Sequence, residues 1–182
     1  MNSDYTALFN SLHPGFFDRD YIQAISPEYV CEEMILDLRK ERLLPVDEPA
    51  GNITYGFFSG DFDTLHEAVR EVSPDWVQYF GRDERIYCAY SDGVLSSFCL
   101  IDDMGVHDYA GCKVRVAGPG CVGTVPRFRR RGIGLSMVRR ATEIIAGEGY
   151  DLSYIHYTGV AHWYAGLGYH TILRWNSLGI IE

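Results

Sequence analysis

One short segment, PRFRRRGIG at residues 126–134, constrains the fold more than any other part of the chain. Its proline ends a β-rich run and helical periodicity begins near Ile133, so the segment is predicted to join a strand to a helix start. A helix start presents unpaired backbone N–H groups and partial positive charge. Gly132 and Gly134 would let a ligand approach those groups, and the arginines add charge and forked donors. The segment suits a pyrophosphate group; a basic surface turn with two structural glycines is the open alternative.

The charge of the whole chain restricts what this segment can bind. The formal net charge of −9 argues against nucleic acids and anionic membranes, which are polyanions. Six of the 16 basic residues nevertheless fall between Arg127 and Arg140. Such local positive charge favours a compact anionic ligand over a long one.

A neighbouring stretch, Gly118 to Gly123, has the GxGxxG spelling of a dinucleotide-binding loop. That loop works only where its glycines lead a strand into a helix that receives the pyrophosphate. Here Gly123 leads into Thr-Val-Pro, which continues a strand, and the acidic residue expected about 20 positions later would be Glu143, inside a helix. A dinucleotide-dependent oxidoreductase is therefore disfavoured, and the lack of Gly-Lys-Ser/Thr argues against a nucleotide P-loop.

Composition indicates a soluble globular protein. The 182 residues are 47% apolar and 23% charged, which suits one domain with a real core. The five cysteines form no CxxC pair, so neither a disulfide framework nor a metal site is predicted. The amino terminus lacks a secretory pattern, and no apolar stretch approaches ~20 residues. We therefore expect a cytoplasmic protein with no membrane partner and no nucleic-acid partner.

The first fifty residues are predicted to form an N-terminal extension that is partly helical. Ser26-Pro27 suits a helix start, and apolar residues from Val30 to Leu38 recur at helical spacing, so a helix is predicted that ends near Leu44. Residues 45–51 are typical of a linker. The aromatic-rich segment before Ser26 is expected to pack on the rest of the protein.

The pattern changes from Ile53 onward, and residues 51–182 are predicted to form the main domain. A strand, two short helices and a hairpin around Asp92-Gly93 precede a glycine-bulged strand at 112–125. A helix after Ile133, a strand at 151–157, a short helix and a strand at 169–175 follow. The fold class is therefore α/β (α+β), a mixed central sheet flanked by helices.

Two motifs resemble those of the GNAT superfamily of acyl-CoA-dependent N-acyltransferases. VGTVPRFRRRGIGLSMV matches its Arg/Gln-x-x-Gly-x-Gly/Ala pattern at Arg129, Gly132 and Gly134. VAHWYAGLGY is similar to its second motif, a helix that ends in a tyrosine, here Tyr164, and runs into Gly-Tyr. The element order over residues 53–175 also resembles the GNAT fold.

The resemblance implies a coenzyme site between two splayed parallel strands, here 121–125 and 152–157. Their gap would hold the pantetheine arm of acetyl-CoA, with the pyrophosphate on the arginine–glycine turn. The implied coenzyme-binding residues are Val122, Gly123, Thr124, Arg129, Arg130, Arg131, Gly132, Ile133 and Gly134. Thr124 departs from the aliphatic residue usual in the family, and Tyr157-Thr158 replaces an asparagine that contacts the coenzyme in many relatives.

The resemblance also implies Tyr164 as the general acid that protonates the coenzyme sulfur. A phenol is a reasonable donor to a thiolate of similar basicity. Residues 114–125 lack the glutamate that many relatives use as base, so His156 is the candidate base, since histidine titrates near neutrality. A histidine that only forms hydrogen bonds within the sheet is the open alternative. Asp102 and Asp103 are alternatives. Cys121 is interpreted as a packing residue rather than an acyl carrier.

The expected function is acetyl transfer from acetyl-CoA to a primary amine of a small molecule or peptide, directly and without a metal. A non-catalytic acyl-CoA-binding or sensor module of the same fold is the alternative. The acceptor would be selected around residues 60–82 and 103–113, the latter a variable loop. The N-terminal extension is expected to cover the acceptor side or to join a homodimer.

Overall fold

Eight strands forming one sheet organise the computed structural model, which describes residues 3–181. The strands are β1 (Cys31–Asp37), β2 (Ile53–Phe57), β3 (Ile86–Ser91), β4 (Val94–Tyr109), β5 (Cys112–Thr124), β6 (Leu152–Thr158), β7 (His170–Asn176) and β8 (Gly179–Ile180). Their order across the sheet is β2-β3-β4-β5-β6-β1-β7-β8. Within residues 3–181, β5 and β6 form the one parallel pair and all other pairs are antiparallel. The sheet is therefore mixed, which confirms the predicted fold class.

Helices cover both faces of the sheet. They are α1 (Ser3–Leu12), α2 (Asp20–Gln23), α3 (Phe62–Val72), α4 (Ile133–Gly147) and α5 (Ala161–Ala165), with 3₁₀ turns at Phe16–Asp18, Pro74–Tyr79 and Pro126–Phe128. Side chains alternate along a strand, so Ile155 packs with α4 whereas Tyr154 packs with α1. Likewise, Cys99 packs with α4 and Phe98 with α3. We call the side that carries α4 and α5 the α4 face, and the side that carries α1 and α3 the α1 face. The helices of residues 3–181 are all too short or too polar to cross a membrane.

Two tight turns build the long hairpins of the sheet. Asp92 and Gly93 have φ angles of 51° and 78°, the left-handed pair that a two-residue type I′ turn requires, and the predicted hairpin is confirmed. Ala110 and Gly111 repeat this geometry with φ angles of 51° and 77°. Residues 103–113 are therefore not the predicted loop. They are the paired ends of β4 and β5 with a two-residue turn between them.

The helix predicted after Ser26-Pro27 is wrong, because Cys31–Asp37 forms strand β1. This strand lies between β6 and β7. Strands from before and after the predicted domain boundary at residue 50 therefore belong to the same sheet. Six of its seven residues are buried, since helices cover both of its faces. A strand buried on both faces loses the alternation of apolar and polar residues, and its run then matches helical spacing equally well.

The aromatic-rich segment before Ser26 packs onto the α1 face of the sheet, as predicted. Phe9 of α1 and Phe16 of the following 3₁₀ turn are buried in one cluster with Tyr154 and Trp175. Phe16 contacts Trp175 edge-on, with ring centroids 4.9 Å apart. Residues 3–25 are thus attached to β6 and β7 through aromatic packing.

Removing the first fifty residues tests whether residues 51–182 fold alone. A chain that starts at Gly51 lacks β1, so β6 and β7 lose the strand that joins them. We expect no cooperative thermal unfolding transition by near-UV circular dichroism, whereas the full chain should give one. A transition within about 5 °C of the full chain's midpoint would contradict the structural role of β1.

Candidate active site

The parallel strands β5 and β6 separate shortly after they meet. Their backbone pairing consists of Val116 with Leu152 and Ala117 with Ser153. Gly118 lies so close to β6 that a Cβ there would collide with the carbonyl of Tyr154. Beyond this point the edge of β5 that faces β6 has no strand partner in the described chain. The structure therefore contains a V-shaped gap between β5 and β6. The pair of strands that the resemblance implied, 121–125 and 152–157, borders it except at residues 152 and 153, which still pair with β5.

A bulge in β5 accompanies this separation. Phe98 pairs with Gly123 and Leu100 with Gly120, so Cys99 lies opposite two residues, Cys121 and Val122. Cys121 has a φ of 45°, which bends the strand. The predicted bulged strand is confirmed, but its extra residue lies at Cys121 and Val122 and not at a glycine.

A cavity of about 400 Å³ opens on the α4 face at the end of β5. The expected coenzyme residues on its wall are Val122, Thr124, Arg129, Arg130, Arg131, Gly132, Ile133 and Gly134, together with the expected acid Tyr164. Gly123 is not part of the wall. Its α-carbon faces the ring of Phe98, which leaves no room for a Cβ. The remaining wall, which the sequence did not single out, consists of Phe128, Leu135, Val160, His162 and Trp163.

The start of α4 supplies the polar end of this cavity. Gly132 is the N-cap residue with a φ of 77°, and no side chain caps the helix. The first amides of α4 are therefore open to a ligand, and the helix dipole favours an anion there. Arg130 also adopts a left-handed φ, of 60°, so two residues of the turn before α4, Arg130 and Gly132, have left-handed backbone.

The arginines of the turn have different roles. Arg129 donates from Nε to the carbonyl of Thr124 at 3.0 Å and so fixes the turn to the end of β5. Arg127 lies outside the cavity and pairs with Glu71 at 2.9 Å. No partner of the Arg130 guanidinium is found within residues 3–181, and this side chain lines the cavity. Arg130 therefore has charge available for an anionic ligand.

Gly134 allows α4 to approach β5. A Cβ at this position would lie 2.5 Å from Oγ1 of Thr124 and 3.5 Å from the ring of Trp163. The glycine therefore serves close helix–strand packing as well as access to the amides.

Tyr164 of α5 lies at the wall of the cavity. Its ring packs edge-on against Trp163 and Tyr169, with centroids 4.8 and 6.2 Å away. Within residues 3–181 no hydrogen bond to its hydroxyl is found, although the side chain is buried. Burial raises the pKa of this phenol well above its ordinary value. Tyr164 is thus a protonated group at the cavity wall, able to donate to a ligand atom.

His156 does not line this cavity but points to the α1 face. Its Nδ1 lies 2.9 Å from Oε2 and 3.1 Å from Oε1 of Glu33, a residue of β1. Its ring stacks on that of His13, with centroids 3.8 Å apart and planes 17° apart. The expected base therefore lies beside the gap, on the opposite face from Tyr164.

Glu33 is the functional candidate that sequence reasoning missed. Its side chain is fully buried and accepts hydrogen bonds from Tyr154 Oη and Trp175 Nε1, both at 2.7 Å. The sequence signal for this candidate was a glutamate inside the apolar run CEEMILD. The helix predicted for that run would have exposed this glutamate to solvent. Strand β1 instead places it against β6.

His13, Glu33 and His156 offer donor atoms within 4.8 Å of one another. A shared metal ion would have to lie in the plane of both imidazole rings. Since the two rings are stacked in nearly parallel planes, one ring would have to leave the stack for this. The arrangement as it stands suits a hydrogen-bonded pair, Glu33 with His156.

The other acidic candidates differ in their surroundings. Asp103 accepts from the backbone N–H of Gly105 at 2.9 Å, which lowers the pKa of its carboxyl and places it at the bulge of β4 between these two residues. Asp102 lies over Gly120 on the α1 face. Burial, and then the charge of Glu84, raise the pKa of Asp102.

The surroundings of Cys121 and Tyr157 indicate structural roles. Burial raises the pKa of the Cys121 thiol to about 12, so it remains protonated and is a poor nucleophile. The Tyr157 ring packs on Trp175 at 4.9 Å, and its backbone N–H donates to Glu33 at 3.2 Å. Tyr157 thus belongs to the α1-face cluster.

Comparison with solved structures identifies the fold. A GCN5-related N-acetyltransferase from Sphaerobacter thermophilus has a TM-score of 0.59 at 21% identity over 84% of this chain and 51% of that one. One from Kribbella flavida has a TM-score of 0.56 at 20% identity over 87% and 60%. A GCN5-related glucosamine N-acetyltransferase region of a fungal multidomain β-N-acetylglucosaminidase has a TM-score of 0.63 at 19% identity over 80% and 20%.

The chain therefore has the GNAT fold and spans at most about three fifths of the length of these three structures. No family model matches the sequence, and no curated protein matches it. The similarity shows the fold alone, and the chemistry depends on the residues of this chain's own site.

The contact at Gly134 can be tested without a ligand. Gly134→Ala should destabilise the protein by about 1–3 kcal/mol, because the new Cβ overlaps Thr124 Oγ1. In a Thr124→Ala background that penalty should largely disappear, and denaturant unfolding of the four proteins measures this coupling. Gly147→Ala in the same helix, where a Cβ meets nothing within 4 Å, is the matched control. Equal penalties for Gly134→Ala in both backgrounds would contradict the packing account.

Proposed function

We propose that the protein is an acetyltransferase that moves an acetyl group directly from acetyl-CoA to a primary amine of a small molecule or peptide. One observation carries the proposal: a single cavity at the strand gap joins the uncapped start of α4 to the Tyr164 hydroxyl, which has no partner among residues 3–181. One ligand can thus bind with its anionic group at the start of α4 and its reacting atom at Tyr164. The GNAT fold supports this interpretation.

The turn before α4 is proposed to bind the pyrophosphate. Backbone amides at Gly132, Ile133 and Gly134 would donate to its oxygens, and the guanidinium of Arg130 would neutralise its charge. Arg129 and Arg131 line the same mouth. Here Arg129 acts mainly through the structure of the turn, since its side chain already binds the end of β5.

The unpaired edge of β5 is proposed to bind the extended pantetheine arm. Past Ala117 the backbone groups of β5 that face the gap lack a strand partner, so an extended amide chain can pair with them. Val122 and Thr124 are the residues of this edge that line the cavity. Their backbone N–H groups would polarise the thioester carbonyl as an oxyanion hole does. This contact depends on the backbone, so a threonine at 124 can provide it.

The chemistry requires an acid and a base near the gap. The neutral amine nitrogen forms the new bond to the carbonyl carbon, and the carbon–sulfur bond breaks with its electron pair going to sulfur. Tyr164 donates its proton to that sulfur. His156, at the other face of the gap, accepts the proton that the amine nitrogen loses. Water then returns a proton to Tyr164 and removes one from His156, which completes the balance.

The α1 face beside the gap is proposed to receive the acceptor. Gly118 and Gly120 present no side chains there, and Asp102 and His156 lie on the two flanking strands. The nearby acids Asp102 and Glu84, with the net charge of −9, favour a cationic amine.

A ligand comparison tests the proposed function. Acetyl-CoA should bind the purified protein in a calorimetric titration, NADPH should not, and at least one member of an amine panel should release thiol from acetyl-CoA. Binding without thiol release would favour the alternative, a non-catalytic acyl-CoA sensor, because His156 does not line the coenzyme cavity. Binding of NADPH alone would contradict the proposal.

Two neighbouring tyrosines separate catalysis from stability. Tyr164→Phe should lower kcat by about 10²–10⁴-fold with an unchanged Kd for acetyl-CoA, because it removes a proton donor and no structural hydrogen bond. In contrast, the Tyr169 hydroxyl contacts Ser153 at 2.6 Å and Thr142 at 2.8 Å. Tyr169→Phe should therefore lower the free energy of unfolding by about 1–3 kcal/mol and leave kcat nearly unchanged. Equal effects of the two variants on kcat would contradict the role of Tyr164.

A further inference from the structure

We propose that Glu33 and His13 are positioning residues that fix His156 in one tautomer, with Nε2 as the atom that accepts the proton of the acceptor amine. The proposal rests on the proposed acetyl transfer for its catalytic part, but its structural part can be measured without any substrate. The three residues come from three separate parts of the chain: the turn directly after α1, strand β1 and strand β6.

The carboxylate of Glu33 is held from four directions. Tyr154 Oη donates to Oε2 at 2.7 Å, Trp175 Nε1 donates to Oε1 at 2.7 Å, and the backbone N–H of Tyr157 donates to Oε1 at 3.2 Å. His156 Nδ1 completes the set at 2.9 and 3.1 Å. Since the side chain of Glu33 is 0% exposed, these bonds replace its hydration. Such a carboxylate cannot rotate away from His156 without leaving buried donors unpaired.

Both oxygens of Glu33 already accept hydrogen bonds from Tyr154, Trp175 and Tyr157, so we infer that they also accept from His156 Nδ1, which places a hydrogen on that nitrogen. In the neutral imidazole the lone pair is then on Nε2. The side chain of His156 is 26% exposed, and Nδ1 is the atom turned to the buried Glu33. The exposed part of the ring is therefore its other edge, where Nε2 lies.

His13 holds the ring plane of His156. The two rings stack 3.8 Å apart, and Phe16 contacts the His156 ring edge-on at 5.1 Å. Burial, and then the charge of His156, lower the pKa of His13 to about 3. His13 therefore remains neutral and does not compete with His156 for a proton. Arg19 and His107 also face His13 and lower its pKa in the same direction.

The position of His156 in the sheet makes this arrangement useful for acyl transfer. His156 lies three residues beyond Ser153, the last residue of β6 that pairs with β5, and so borders the open part of the gap. Tyr164 approaches the gap from the α4 face, while His156 lies on the α1 face. An acid and a base on opposite faces can act on the leaving sulfur and the incoming nitrogen without blocking each other.

A purely structural role for the cluster, as an attachment of α1 to the sheet, makes a different prediction. It needs the hydrogen bonds and the packing but does not need a free Nε2. Both roles give the Nδ1–H tautomer, so the kinetic consequence of changing that tautomer distinguishes them.

Ring ¹⁵N NMR of the ¹⁵N-labelled full chain without coenzyme provides the first readout, with His156 assigned from the spectrum of His156→Gln. We expect the neutral ring to carry its hydrogen on Nδ1 in the wild type. In Glu33→Gln, whose amide can donate to Nδ1, we expect a shift towards the Nε2–H form. A wild-type ring with its hydrogen on Nε2, or with both forms equally populated, would overturn the proposal even if Glu33→Gln failed to fold.

Thiol-release kinetics give the second readout. Glu33→Gln should lower kcat by about 10²-fold or more, with the Kd for acetyl-CoA unchanged, since a wrongly oriented base loses most of its contribution. Glu32→Gln is the matched control, because the adjacent Glu32 bonds to Thr171 at 2.6 Å on the surface. It should leave both the tautomer and kcat unchanged. An altered tautomer with wild-type kcat in Glu33→Gln would overturn the proposal.

Substitutions of His13 test the neutral stack. His13→Ala should lower kcat about 10-fold by loosening the ring of His156, and His13→Phe should restore most of the loss, since a neutral aromatic ring can replace the stack. Failure of His13→Phe to rescue would contradict the positioning role of His13. If acetyl-CoA does not bind at all, the proposed function fails and with it the catalytic part of this inference. The tautomer, measured without coenzyme, still decides its structural part.

Discussion

The candidate site depends on the short length of the pairing between β5 and β6. Two backbone pairs join them, Val116 with Leu152 and Ala117 with Ser153, and the bulge at Cys121 then bends β5 away. A longer ladder would satisfy the backbone of both strands and close the gap. The separation leaves one edge of β5 open, directs that strand into the turn before α4, and exposes the far end of β6 on the other face.

The turn before α4 could be predicted from the sequence because its structure is local. Its pattern lies within about fifteen residues. A proline ends a strand, glycines adopt or permit unusual backbone geometry, and an amphipathic helix follows. The hairpin at Asp92-Gly93 is local in the same sense. The packing role of Gly134 was not predictable, since it depends on Thr124, a residue of a different element.

Strand β1 and Glu33 could not be predicted because their partners are remote. Glu33 acquires its role from Tyr154, His156 and Trp175, more than 120 positions away in the sequence. The strand has lost its alternating pattern through burial on both faces, so the local periodicity favoured a helix. Residues 114–125 contain no acidic residue, but Glu33 provides one beside His156. It belongs to the segment that the sequence predicted to be an N-terminal extension.

The central claim is that one gap brings together the coenzyme, Tyr164 and His156, and a crystal structure with bound acetyl-CoA tests it most directly. The account predicts the pyrophosphate on the first amides of α4 and the pantetheine along the open edge of β5. It also predicts the sulfur within hydrogen-bonding distance of the Tyr164 hydroxyl, with His156 Nε2 facing the acetyl group from the α1 face. A coenzyme bound elsewhere, or an acetyl group separated from His156 by intact sheet, would contradict it.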